Sequence, residues 1–143
     1  MKHEPRRICL KPTTWIACGA VLAGLAVAGG AFGAHVLTGK LKNDTSLSAD
    51  EASHRLDIFE TAARYQMYHA LAMLLVGLVG TRHPSTSLTV AGCCFFLGVM
   101  IFSGCLYALA LGGPKVLGAI VPIGGVGFIA GWVCLAMAAL RAE

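Results

Sequence analysis

Ionised side chains are missing from long stretches of this sequence, and that absence decides more than any motif. No Lys, Arg, Asp or Glu occurs from Trp15 to Leu37, from Leu88 to Leu111, or from Ile120 to Leu140. Charged residues make up only 13% of the 143, against 57% hydrophobic, so a water-soluble globule of this size would be left with apolar excess on its surface. Each stretch is long enough to cross about 30 Å of hydrocarbon as a helix. A soluble domain is excluded.

Other absences narrow the chemistry. The six cysteines show no CxxC or other paired spacing: Cys18, Cys93, Cys94, Cys105 and Cys134 lie in apolar runs, and Cys9 stands alone in a polar flank. They read as small buried apolar residues, not as a disulfide framework or metal cage. The spans contain no paired carboxylates, no nucleophile with a base and no nucleotide fingerprint, which leaves an enzyme as the least supported class. Basic residues form no patch interleaved with aromatics, so no nucleic-acid partner is expected.

What is present predicts an all-α integral membrane bundle of about four transmembrane helices, with an interfacial amphipathic helix in the first loop. Residues 1–14 form a basic amino-terminal flank and 15–143 a single membrane domain, with spans at about 15–37, 65–80, 88–111 and 120–140. The flank carries Lys2, Arg6, Arg7 and Lys11 against Glu4 alone. Such a flank orients a membrane protein and places both termini in the cytoplasm. The same residues loosely resemble a twin-arginine signal, and Ala26-Val27-Ala28 resembles a cleavage site, but three further apolar segments argue against an exported soluble cargo.

Ser48 with Glu51 forms a capping box, and Ala52, Leu56, Phe59 and Ala63 follow at helical spacing, giving an amphipathic helix over about 49–64. Glu51 with Arg55 and Glu60 with Arg64 are i,i+4 pairs. No proline or glycine separates this segment from span two, so the helix can bend there or run straight on. Gly112-Gly113-Pro114-Lys115 is a turn. Pro122 either opens the last span or interrupts a longer helix. Gly29 with Gly33 and Gly127 with Gly131 are GxxxG steps, and Ala20, Gly24 and Ala28 form a neighbouring small-residue stripe; spans one and four are expected to pack through them.

Four segments then carry a resemblance: Gly30-Ala31-Phe32-Gly33-Ala34-His35; Thr61 to Leu71 (TAARYQMYHAL); Phe102-Ser103-Gly104-Cys105-Leu106-Tyr107; and Pro122-Ile123-Gly124-Gly125 with Gly131-Trp132. In order and spacing they resemble the transmembrane protein 256 family, known in bacteria as domain of unknown function 423. The resemblance implies a small protein of the bacterial inner membrane, or of organelle membranes in eukaryotes, with about four spans and no assigned activity. This sequence departs from the pattern by a longer amino flank, an insert around Lys42 to His54, and Cys105 where serine is frequent.

Polar residues inside hydrocarbon need partners. Tyr65, Gln66 and His69 share one arc of span two and are expected to face the bundle, where Ser103 and Tyr107 on span three would meet them. His35, at the end of span one, is expected near the depth of His69. Three functional readings follow. The leading one is an accessory, scaffold or lipid-organising membrane protein whose partners are membrane lipid and either other membrane proteins or a second copy. The second is a small-solute or proton transporter using the cluster around His69. The third is haem or metal ligation by His35 and His69; lacking a third ligand, it leaves the expectation at no cofactor.

Overall fold

The computed structural model describes residues 10–141, and the amino flank with its twin-arginine pair lies outside them up to residue 9. Four long helices run up, down, up and down: α1, Pro12–Lys42; α2, Ala49–Arg82; α3, Thr86–Ala110; and α4, Leu117–Leu140. No strand occurs among the described residues. Helices α1, α3 and α4 are long and apolar enough to cross a membrane. Helix α2 is charged through its first half and is the most enclosed, packed on α1 along one side and on α3 along the other. What its second half leaves exposed is the apolar stripe Tyr68, Leu71, Leu75 and Leu78. A helix sheltered on two sides needs only such a stripe for lipid, which is why its sequence signal is short.

Of the two courses open between the amphipathic segment and span two, the chain takes the straight one: α2 is uninterrupted for 34 residues. The Ser48 hydroxyl accepts the Glu51 N–H at 3.2 Å, completing that half of the capping box. Both acid–base pairs form, Glu51 to Arg55 at 3.0 Å and Glu60 to Arg64 at 3.8 Å. The Arg55 guanidinium on the Glu51 carboxylate holds that acid below its ordinary titration range. The apolar stripe of this half is covered by protein: Ala52, Phe59 and half-buried Leu56 pack with Leu37 and Leu41 of α1. At the tip, Asp44 accepts both the hydroxyl and the backbone N–H of Ser46, closing the turn between the helices.

Helix α1 changes winding at Gly33–Leu37, which is a π turn, with the Thr38 hydroxyl donating to the Gly33 carbonyl at 2.9 Å. The physical reason lies in its buried positions. From Gly33 the buried residues recur every four, at Leu37 and Leu41, whereas an α-helix would carry that row roughly 40° off its face at each step. Underwinding into a π turn returns Leu37 and Leu41 to α2.

Glycines set the helix contacts, but not between the helices expected. The pairing of span one with span four is overturned: α4 packs along α3, and α1 along α2. A methyl group on Gly131 would stand 2.6 Å from the Phe95 ring of α3, and one on Gly127 3.4 Å from the Cys94 carbonyl oxygen. Gly33 instead receives the Phe59 ring of α2, and Gly29 faces the Tyr107 hydroxyl of α3. Facing small residues do not have to meet each other, because glycine accommodates an aromatic knob at least as well as it does another glycine. Ala20, Gly24 and Ala28 are exposed, with nothing within 4 Å of a Gly24 methyl. Pro122 lies inside α4, not at its start. The five described cysteines are half-buried free thiols.

These contacts predict a contrast between two alanines. At Gly124 a methyl would lie 2.6 Å from the Phe102 backbone nitrogen, so Gly124→Ala is expected to cost about 1–3 kcal/mol by overpacking. Gly24→Ala meets no atom and gains helix propensity. Thermal melts in detergent should show a lower midpoint for Gly124→Ala and an equal or higher one for Gly24→Ala; equal midpoints for both would rule out the close α3–α4 crossing.

Candidate functional site

His69 sits at the centre of the bundle and organises its polar interior. It lies on α2 opposite Phe95, the tenth residue of α3, and Phe128, the twelfth of α4, and is therefore near mid-depth and not close to a membrane face. Its ring stacks on Phe128 with centroids 3.4 Å apart and planes 5° from parallel. Phe95 stands 5.7 Å away, itself edge-on to Trp132 at 5.1 Å. Only 5% of His69 remains exposed, so each ring nitrogen has to find its partner inside the protein.

Both do. Nδ1 lies 2.8 Å from the Tyr65 carbonyl oxygen one turn earlier, and Nε2 receives the indole N–H of Trp132 at 3.4 Å. A carbonyl can only accept and an indole N–H can only donate, so the ring that satisfies both is the neutral tautomer with its proton on Nδ1. Gln66, one turn away and also buried, donates from Nε2 to the Leu22 carbonyl oxygen of α1 at 2.8 Å. Two polar side chains of α2 thereby tie the central helix to α4 on one side and α1 on the other.

The expected cluster of Tyr65, Gln66, His69, Ser103, Tyr107 and His35 is only partly assembled. Gln66 and His69 are buried as expected, but their partners are Leu22 and Trp132, not Ser103 and Tyr107. Tyr65 is 39% exposed and lays its ring 4.8 Å from that of Phe102. Ser103 Oγ and Tyr107 OH are buried without a hydrogen-bond partner, an arrangement that costs about 1–3 kcal/mol per group when nothing else satisfies it. The Tyr107 ring packs on Phe59 at 4.8 Å.

His35 is exposed on the π turn. The antiparallel register of α1 and α2 sets Gln66 beside Leu22 and Ala70 beside Gly19, so His69 lies level with that part of α1. Thirteen residues, or about 20 Å of helix rise, separate Leu22 from His35. The expectation of a common depth is overturned, and the two histidines cannot share one metal ion. A haem between them fails for a second reason, since neither nitrogen of His69 is free to ligate. Trp132 is the partner of His69 that the polar arc of α2 does not reveal. Its signal was there, in an indole N–H that requires an acceptor once placed in a glycine-rich span.

The His69–Trp132 bond predicts energetic coupling. In a double-mutant cycle of His69→Leu and Trp132→Phe, unfolding in mixed micelles should show an interaction of about 0.5–1.5 kcal/mol. Additive effects would mean that the two side chains merely lie side by side.

Comparison with known proteins agrees with this architecture. The model of the family described as a protein of unknown function, DUF423, matches residues 29–125, a segment that contains Gly29, Gln66, His69 and Tyr107. The UPF0382 membrane protein of Staphylococcus aureus (strain bovine RF122) is 45% identical over 129 residues, covering 89% of this chain and 95% of its own. That of Staphylococcus epidermidis (strain ATCC 35984) is 46% identical over the same length, with the same coverage. The UPF0382 membrane protein YwdK of Bacillus subtilis (strain 168) is 39% identical over 128 residues, covering 89% and 96%. No solved structure matches. The four helices, their enclosed histidine and this breadth of identity agree: the chain is a membrane protein and belongs to the DUF423 family.

Proposed function

We propose that this protein is a non-catalytic accessory of the inner membrane, acting as a scaffold or lipid-organising element, with both termini in the cytoplasm. The observation that carries this reading is the closed state of its polar interior. At the centre of the bundle both nitrogens of His69 are committed to protein partners while an aromatic ring covers its face. A transport path needs a group that can exchange its partners and a hydrated route to it. Phe128 stacked on the ring, with Phe95 and Trp132 packed beside it, opposes both.

The surface supports the same reading. Large apolar side chains cover the outside of α4 from Ile120 through Ile129 and Val133 to Leu140, and of α1 from Val21 to Val36. Such faces suit lipid or the helices of a membrane partner. The up-down-up-down order sets the start of α1 and the end of α4 at the same end of the bundle, and the basic residues of the sequence before α1 argue for the cytoplasmic side.

The competing transporter reading makes the opposite prediction in sealed vesicles. Purified protein reconstituted with a pH-sensitive dye inside should give proton flux equal to that of empty vesicles, and His69→Ala should not change it. Flux clearly above empty vesicles that collapses in folded His69→Ala would replace the accessory reading with a transporter gated at this residue.

A further inference from the structure

Helices α1 and α3 both pack on α2, and between them runs a lateral groove of about 410 Å³. Leu22, Leu25 and Gly29 form one wall, Phe59 and Gln66 the floor, and Tyr107 the other wall. Its lips are exposed apolar side chains, Leu25 and Phe32 on α1 and Met100 and Leu111 along α3 and just beyond it. In a bilayer these lips face hydrocarbon, so the groove opens sideways to lipid. Its volume is that of a small-molecule site.

Two features distinguish it from a chance gap between helices. Gln66, 6% exposed, lines it and has used one amide N–H on Leu22, leaving a second donor. Tyr107 also lines it, and its hydroxyl is buried with no partner. A groove that is otherwise apolar therefore carries, in the Tyr107 hydroxyl, a donor that calls for an acceptor. The depth of Tyr107 narrows the choice: it lies one turn before α3 ends at Ala110, and Lys115 follows in the turn just beyond. Near the end of a spanning helix, acyl chains give way to the interfacial layer, where lipid ester carbonyls are found.

We propose that this groove holds one acyl chain of a membrane phospholipid, whose ester carbonyl accepts the hydrogen bond of the Tyr107 hydroxyl as the ring tilts outward from its place against Gly29. The Gln66 amide faces the same chain from the floor, and Lys115 offers a cation at the level of the phosphate. The site gives the orphan hydroxyl its missing acceptor and covers Leu22, Phe59 and Gly29 with hydrocarbon. It deepens the lipid-organising reading and rests on it, by naming which lipid atoms the protein would select.

The test uses the full chain in lipid discs containing equal amounts of ester-linked phosphatidylglycerol and its ether-linked analogue, which lacks the carbonyl. Native mass spectrometry counts the lipids that the released protein retains. One phospholipid per chain is expected, with ester favoured over ether about fivefold, the contribution of one hydrogen bond. Tyr107→Phe keeps the ring on Phe59 and should lose the preference. Leu25→Trp, at an exposed lip, should lose the lipid, while Val126→Trp on the outer face of α4 should keep it. Equal retention of the two lipids, retention unaffected by Leu25→Trp, or a lipid-free dimer would each overturn the proposal. Any of these leaves the flux result standing, whereas flux through His69 would overturn the accessory reading whatever the lipid count.

Discussion

Aromatic rings seated on glycines hold this bundle together. Between helices in lipid there is little hydrophobic drive, because a leucine is as well solvated by acyl chains as by another helix. Stability has to come from close contact, and the chain obtains it by placing a large flat side chain where the facing helix has no side chain at all. Trp15 lies on Gly92, Phe128 on Gly98, Phe95 on Gly131 and Phe59 on Gly33. Each contact brings a ring against backbone, where dispersion forces act across many atoms. The order of the helices follows from which glycine meets which ring.

The polar interior depends on that frame. His69 can be placed at mid-depth because Phe128, seated on Gly98, presents its flat face to the imidazole. Trp132 reaches the remaining nitrogen because Gly131 beside it brings α4 close to α3. An isolated imidazole in hydrocarbon would be costly; in this position it becomes a joint linking α2 to α4, as Gln66 links α2 to α1. Burial, tautomer and helix position are mutually determined, and the buried histidine joins two helices.

Much of this was legible in the residues. Absent charge marks the three strongly apolar helices and the capping box marks the start of α2, while of the arc Tyr65, Gln66 and His69 only the last two turn inward and Tyr65 stays exposed. What the residues could not tell was the partner on the other side. A GxxxG step marks a place where something approaches, but both Gly127 and a distant Gly29 carry the same mark, and only the packed bundle shows that Gly127 meets the backbone of α3 at Cys94 and Gly98 whereas Gly29 meets the Tyr107 side chain. Likewise Ser103 and Tyr107 stand on the correct helix for the polar arc, yet a rotation of that helix sends the tyrosine toward Gly29 instead. The π turn is invisible for the same reason: it answers to a match between α1 and α2 that neither helix encodes alone.

One contact bears on how the chain is assembled as it is made. Trp15, near the start of α1, rests on Gly92, seventy-seven residues later in the chain. Synthesis runs from the amino terminus, so α1 and α2 are in the bilayer before α3 emerges. Until then the face of the indole that will rest on Gly92 has only lipid against it. Arrival of α3 therefore does more than add a helix. It supplies the seat for a ring that has been waiting since the first turn.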